Sequence, residues 1–119
     1  MDEYKEWFEK SKEELDTAKY NMKGNKIEAA AFFFQQAAEK ALKALYIKRY
    51  KKLLKTHVLS ILADSLSAPE GILAACKNLT PAYQYTRYPD ILKESDLKEI
   101  IDELKINAEE IIKWVEKNI

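Results

Sequence analysis

Two short polar clusters carry most of the chemistry available to this chain of 119 residues: Lys55-Thr56-His57 and Arg87-Tyr88-Pro89-Asp90. His57 is the one histidine, and imidazole is the side chain whose ordinary titration range suits acid-base work near neutral pH. At the start of a helix it serves equally well as a local hydrogen-bonding group, and sequence position alone leaves both roles open. Arg87 lies in an aromatic run, where its planar guanidinium can stack on Tyr85 or Tyr88 or grip a phosphate through its fork of donors.

Other chemistries fail for want of residues. One histidine and one cysteine, Cys76, cannot supply the imidazole and thiolate set of a zinc or iron site, and a lone thiol cannot form a disulfide within the chain. Two glycines make no phosphate-cradling loop. No cofactor is expected. Carboxylates are plentiful, but Glu13-Glu14, Asp102-Glu103 and Glu109-Glu110 occur at amphipathic spacing and read as solvated helix faces. Twenty basic and twenty acidic residues cancel, so the molecule lacks the net field of a protein that coats nucleic acid by counterion release. The charges are unevenly placed, however. Met1 to Lys19 holds seven acids and four bases, and Glu94 to Ile119 eight acids and four bases, whereas Glu39 to His57 holds seven bases and one acid. That basic segment either solvates a helix end and complements its negative dipole or forms an anion or partner site. The charged first ten residues do not look like a signal peptide, and no apolar run approaches the roughly 20 residues of a membrane span. A cytoplasmic location is the expectation.

These clusters must be positioned by helices. Composition is 47% apolar and 34% charged with three prolines, which favours one all-α domain over residues 1–119 with long helices and no strands. Tyr4, Phe8, Leu15, Ala18 and Met22 recur at spacings of three, four and seven, predicting a helix from Asp2 to Met22. Gly24-Asn25, residues that tolerate the left-handed conformation, close it. A second helix runs from Lys26 to Tyr50 on the stripe Ile27, Ala30, Ala31, Phe34, Ala38, Ala41, Leu42 and Leu45. Its far side carries Ala29, Phe32, Phe33 and Ile47, so it is central in the domain or shared with another chain, and Phe32 and Phe33 are assigned to the core. Thr56 reads as the N-cap of a short helix His57 to Ser65, and Ser67-Ala68-Pro69-Glu70 opens another through Lys77. Pro81 and Pro89 bracket an irregular aromatic segment. Ser95 caps a last helix to the terminus, on Leu97, Ile100, Ile101, Leu104, Ala108, Ile111 and Val115. The result is an up-and-down antiparallel bundle of three long helices, with short helices between the second and the last.

Three stretches in this order resemble the HEPN domain family: AFFFQQAAEKALKAL from Ala31 to Leu45, Lys55-Thr56-His57-Val58-Leu59, and YQYTRYPD from Tyr83 to Asp90. The likeness covers nearly the whole chain and implies a helical bundle, often dimeric, similar to the C-terminal domain of kanamycin nucleotidyltransferase. It also implies a partner: many stand-alone prokaryotic members work beside a small separate nucleotidyltransferase, often as a toxin–antitoxin pair, with the catalytic carboxylates on that partner. On this resemblance the chain is expected to be a homodimeric binding and regulatory module, with nucleotide, RNA or another polyanion held at Lys55, His57, Arg87 and Tyr88. A cation, an imidazole, a guanidinium and a ring suit phosphate and base. The other branch of the family is metal-independent endoribonuclease activity, for which His57 and Arg87 would be the catalytic candidates. Active members carry an arginine followed after four to six residues by a histidine on one helix. Here Arg49 precedes His57 with seven residues between, and Leu92, Lys93 and Glu94 stand where a histidine would follow Arg87.

Overall fold

A computed structural model of the chain describes residues 2–87 and 94–119, together with all their side chains except those of 84–87 and 94. Among the described residues there are six helices and no strand: α1 (Glu3–Lys23), α2 (Ile27–Tyr50), α3 (Leu59–Ser65), α4 (Glu70–Asn78), α5 (Thr80–Arg87) and α6 (Glu94–Asn118). At about 1.5 Å per residue the 24 residues of α2 nearly span the 40 Å long axis. The expected all-α bundle, with three long helices and short ones between the second and last, is what the chain forms. No helix among the described residues is long and apolar enough to cross a membrane.

The three tight ends have one physical solution. α1 stops where Asn25 takes φ 60, with Lys26 N–H on Asn21 O at 2.8 Å and Asn25 N–H on Met22 O at 3.1 Å. This pair of bonds satisfies the last carbonyls of the helix. Gly24 itself keeps an ordinary φ of −79, so the asparagine supplies the left-handed residue. Ser67 (φ 54) ends α3 through the equivalent bonds, Ala68 N–H to Ala63 O and Ser67 N–H to Asp64 O. Lys51 ends α2 at φ 59 and ψ 27.

α2 is the hub. Its alanines Ala30, Ala31, Ala37, Ala38, Ala41 and Ala44 are fully buried, and these small side chains let α1 and α6 pack closely against it. Phe34, Leu42 and Leu45 fill the centre, meeting Leu62 of α3, Leu79 and Ala82 near α5, and Leu97, Leu104, Ile111 and Val115 of α6 in one continuous core. α1 touches mainly α2, and α3, α4 and α5 close the side that α1 leaves open.

Five expectations need correction. Ser95 does not cap α6, which already begins at Glu94 and takes Ser95 into its first turn. Glu14 is 8% exposed rather than solvated: it turns inward to the Lys40 ammonium of α2. Beside it Ser11, also buried, donates to Ala37 O at 2.6 Å. Phe32 is not core; it is 37% exposed and packs edge-to-face on the half-buried Phe33, centroids 5.2 Å apart. The third helix starts at Leu59, not His57, because Thr56 Oγ1 takes the N–H of Val58, only two residues on, at 3.2 Å. That local turn holds residues 56–58 outside the helix. The aromatic segment is helical as far as Arg87. Pro81 is the second residue of α5, in the first turn where its missing N–H costs nothing. Its continuation through Tyr88 and Pro89 lies outside the described residues.

Candidate functional site

His57 hangs between two bonds from α2. Its backbone carbonyl accepts from Gln35 Nε2 at 3.4 Å, and its ring Nδ1 lies 3.0 Å from Glu39 Oε2. Just before it, Thr56 N–H bonds Leu54 O at 3.1 Å, a tight three-residue turn centred on Lys55. This turn and the Thr56 side-chain turn tie the chain down locally. The imidazole is therefore fixed while its side chain stays 53% exposed.

Glu39 explains the arrangement. Its carboxylate, 5% exposed, accepts from Lys43 Nζ at 2.9 Å, from Gln35 Nε2 at 3.2 Å and from the His57 ring. Lys43 is equally buried and lies over the Trp7 ring at 5.8 Å. Carboxylate and ammonium cancel within the interior. A ring facing a carboxylate through Nδ1 carries a proton there, which leaves Nε2 as the nitrogen free to meet a ligand. The pair thus sets the tautomer as well as the direction of the ring.

A cavity of about 220 Å³ opens beside this ring. Its buried lining residues are Gln35, Leu59, Cys76 and Leu79, and its more exposed ones include His57, Ser60, Thr80 and Tyr83. Burial pushes the Cys76 thiol up to about 12, so it offers the cavity a protonated, unreactive thiol rather than a nucleophile.

Of the four residues expected to hold an anion, the structure brings His57 to the cavity and leaves Lys55 exposed two residues away. Arg87 is the last residue of α5, one helical turn beyond the cavity-lining Tyr83. Its side chain, and Tyr88 altogether, lie outside the described residues. The basic segment is largely spent on internal contacts. Lys40 pairs with Glu14 and Lys43 with Glu39, Lys48 reaches the backbone oxygen of Ile119, and Arg49 donates to Leu66 O at 2.8 Å. Lys51, Lys52 and Lys55 remain exposed, with no partner among the described residues.

Sequence reasoning named His57 and missed what holds it. Gln35, Glu39 and Lys43 were readable as polar residues at i, i+4 and i+8, a straight line along one face of a helix otherwise apolar at Phe34, Ala38 and Leu42.

The HEPN domain model matches residues 4–118, from the first turn of α1 to the end of α6. The chain belongs to the HEPN domain family. Among solved structures, the HEPN fold seen here is similar to that of TT1696 from Thermus thermophilus, with 27% identity, a TM-score of 0.88 and full coverage of both chains. It is also similar to ST0689, described as an archaeal HEPN homologue, with 29% identity, a TM-score of 0.78 and 98% of each chain covered. No curated protein matches this HEPN chain.

Proposed function

We infer that this HEPN chain is a binding and regulatory module that associates with a separate minimal nucleotidyltransferase, as one half of a toxin–antitoxin type pair, and that the region of Lys55, His57, Arg87 and Tyr88 receives a nucleotide or another polyanion. The observation that carries this reading is the half-exposed His57 ring, held by a charge-neutral Glu39–Lys43 pair at the edge of a cavity. Such a ring presents one nitrogen to a ligand without moving, and preorganisation of this kind favours binding. Lys55 adds an uncommitted cation nearby, and α5 leads toward Arg87 from the same cavity. Self-association belongs to the reading as well: Phe32, Val58 and Ile61 are large apolar side chains left 37%, 41% and 51% exposed.

One observation favours the second reading, metal-independent cleavage of RNA. A histidine backed by a carboxylate is an acid-base pair, and α5 supplies an arginine one turn past the cavity. The same-helix arginine-histidine spacing of active members is nevertheless missing, which puts binding first.

Co-expression with the nucleotidyltransferase encoded beside this chain tests the choice. A stable two-protein complex, with no RNA turnover by the isolated chain, is the expected result. Cleavage of single-stranded RNA by the purified chain with metal chelated, abolished in His57→Ala, would overturn it.

A further inference from the structure

One polar atom at the cavity is not used by the His57 arrangement. Gln35 is 3% exposed, and its Nε2 is committed to two acceptors on the same side, Glu39 Oε1 at 3.2 Å and the His57 carbonyl at 3.4 Å. An amide that turns its NH2 toward two acceptors turns its oxygen away from them. That oxygen receives no hydrogen bond from the described residues. Among those residues the sealed side-chain atom without a partner is Glu14 Oε2, so Gln35 Oε1 is not sealed. Gln35 lines the cavity beside His57, and that cavity is the space we assign to its oxygen. A nearly buried acceptor in a cavity that buried Cys76 and Leu79 also line calls for a donor from whatever fills that space.

The surroundings restrict the donor's owner. Among the described residues no lysine or arginine lines the cavity, and a phosphate oxygen entering would meet the Gln35 oxygen with like polarity. The volume, about 220 Å³, falls below the roughly 300–1,000 Å³ typical of pockets that enclose a whole drug-sized ligand. A flat head group therefore enters and the charged remainder stays outside, on the side of His57 and Lys55.

We propose that this cavity receives a nucleobase through an exocyclic amino group, adenine being the type, with the amino N–H donating to Gln35 Oε1 and the ring lying on Cys76 and Leu79. Adenine presents amino hydrogens and no exocyclic carbonyl, so no carbonyl on its edge opposes the Gln35 oxygen. Gln35 is then the residue that determines base specificity. This rests on the reading that a nucleotide binds at His57, and adds which part of it goes where.

The test uses the full chain and three probes: AMP, purine riboside 5′-monophosphate, which lacks only the amino group, and inorganic phosphate, each titrated calorimetrically. AMP is expected to bind about tenfold or more tighter than the amino-free analogue, as in sites that hydrogen-bond one polar group of their ligand. Gln35→Met should bring the two nucleotides to within about twofold of each other. Equal affinity of the two for the unaltered chain, a comparison that needs no variant, overturns the proposal and leaves the nucleotide reading standing. So does a preference for AMP that survives in a folded Gln35→Met. Inorganic phosphate binding as tightly as AMP also overturns the proposal while a phosphate site remains. Failure of all three probes to bind overturns both.

Discussion

Lys43→Met removes one charge from the most enclosed ion pair among the described residues and keeps most of the aliphatic stem. Glu39 and Lys43 side chains are 5% and 7% exposed and 2.9 Å apart. At an effective dielectric constant of about 20, their attraction is about 6 kcal/mol. Most of that is offset by the water both groups gave up on folding, so the pair contributes little net stability as a pair. Removing one member is different. The Glu39 carboxylate would remain buried with only the Gln35 amide and the His57 ring for company, and the expected loss is about 3–5 kcal/mol. This is a large part of the roughly 5–15 kcal/mol that holds a domain together. Glu39→Met should cost a similar amount by stranding the ammonium. The double variant, Glu39→Met with Lys43→Met, strands nothing and should cost no more than about 2 kcal/mol. Urea titration followed by far-ultraviolet circular dichroism at pH 7 and fixed protein concentration measures all four corners of the cycle. The reasoning is refuted if Lys43→Met alone stays within about 1 kcal/mol of the unaltered chain, or if the double variant loses the sum of the two single losses.

Two further outcomes follow from local features. The Cys76 thiol is pushed up to about 12 by burial, so the unfolded chain, with a thiol near 8.5, loses that proton first; stability intact below that value should fall by about 1.4 kcal/mol per pH unit on the way to the folded value. Urea midpoints from pH 8 to 10 should therefore decline more steeply for the unaltered chain than for Cys76→Ala, and parallel declines would contradict the assignment. Lys51 holds φ 59 at the end of α2, a conformation that penalises any side chain; Lys51→Gly should raise stability by about 0.5–1 kcal/mol, read as a higher melting temperature.

The long helices were legible because burial on one face writes itself into spacing: the stripe from Ile27 to Leu45 on α2 and that from Leu97 to Val115 on α6 coincide with the residues that lost their water. What stayed hidden was polarity that is satisfied at a distance. Glu14 looks like any acid on a charged helix until Lys40, 26 residues later, is folded against it, and Ser11 has the same relation to the Ala37 carbonyl. The site shows the same division. His57 stood out because there is only one histidine, whereas Glu39 and Lys43 resembled ordinary members of a lysine- and glutamate-rich helix. Their burial depends on α1 and on the segment around His57 covering them from two sides, which no window along α2 contains. The start of α3 was misread for a nearer reason. Thr56 has the chemistry of a helix cap, but its hydroxyl is taken two residues on by Val58.

The polar contacts between α1 and α2 also determine which parts of the molecule can move. Ser11 on Ala37, Glu14 on Lys40 and Trp7 under Lys43 are rungs at successive turns of the two helices. Sliding α1 along α2 by one turn, about 5.4 Å, would break all three at once and leave a buried charge facing alanine. The α1–α2 seam therefore behaves as a fixed rail. His57, the short helices α3 to α5 and the cavity between them lie on the opposite flank, joined to the rail through Gln35 and Glu39. Any adjustment to an incoming ligand has to be taken up on that flank, and α1 serves as the reference against which it moves.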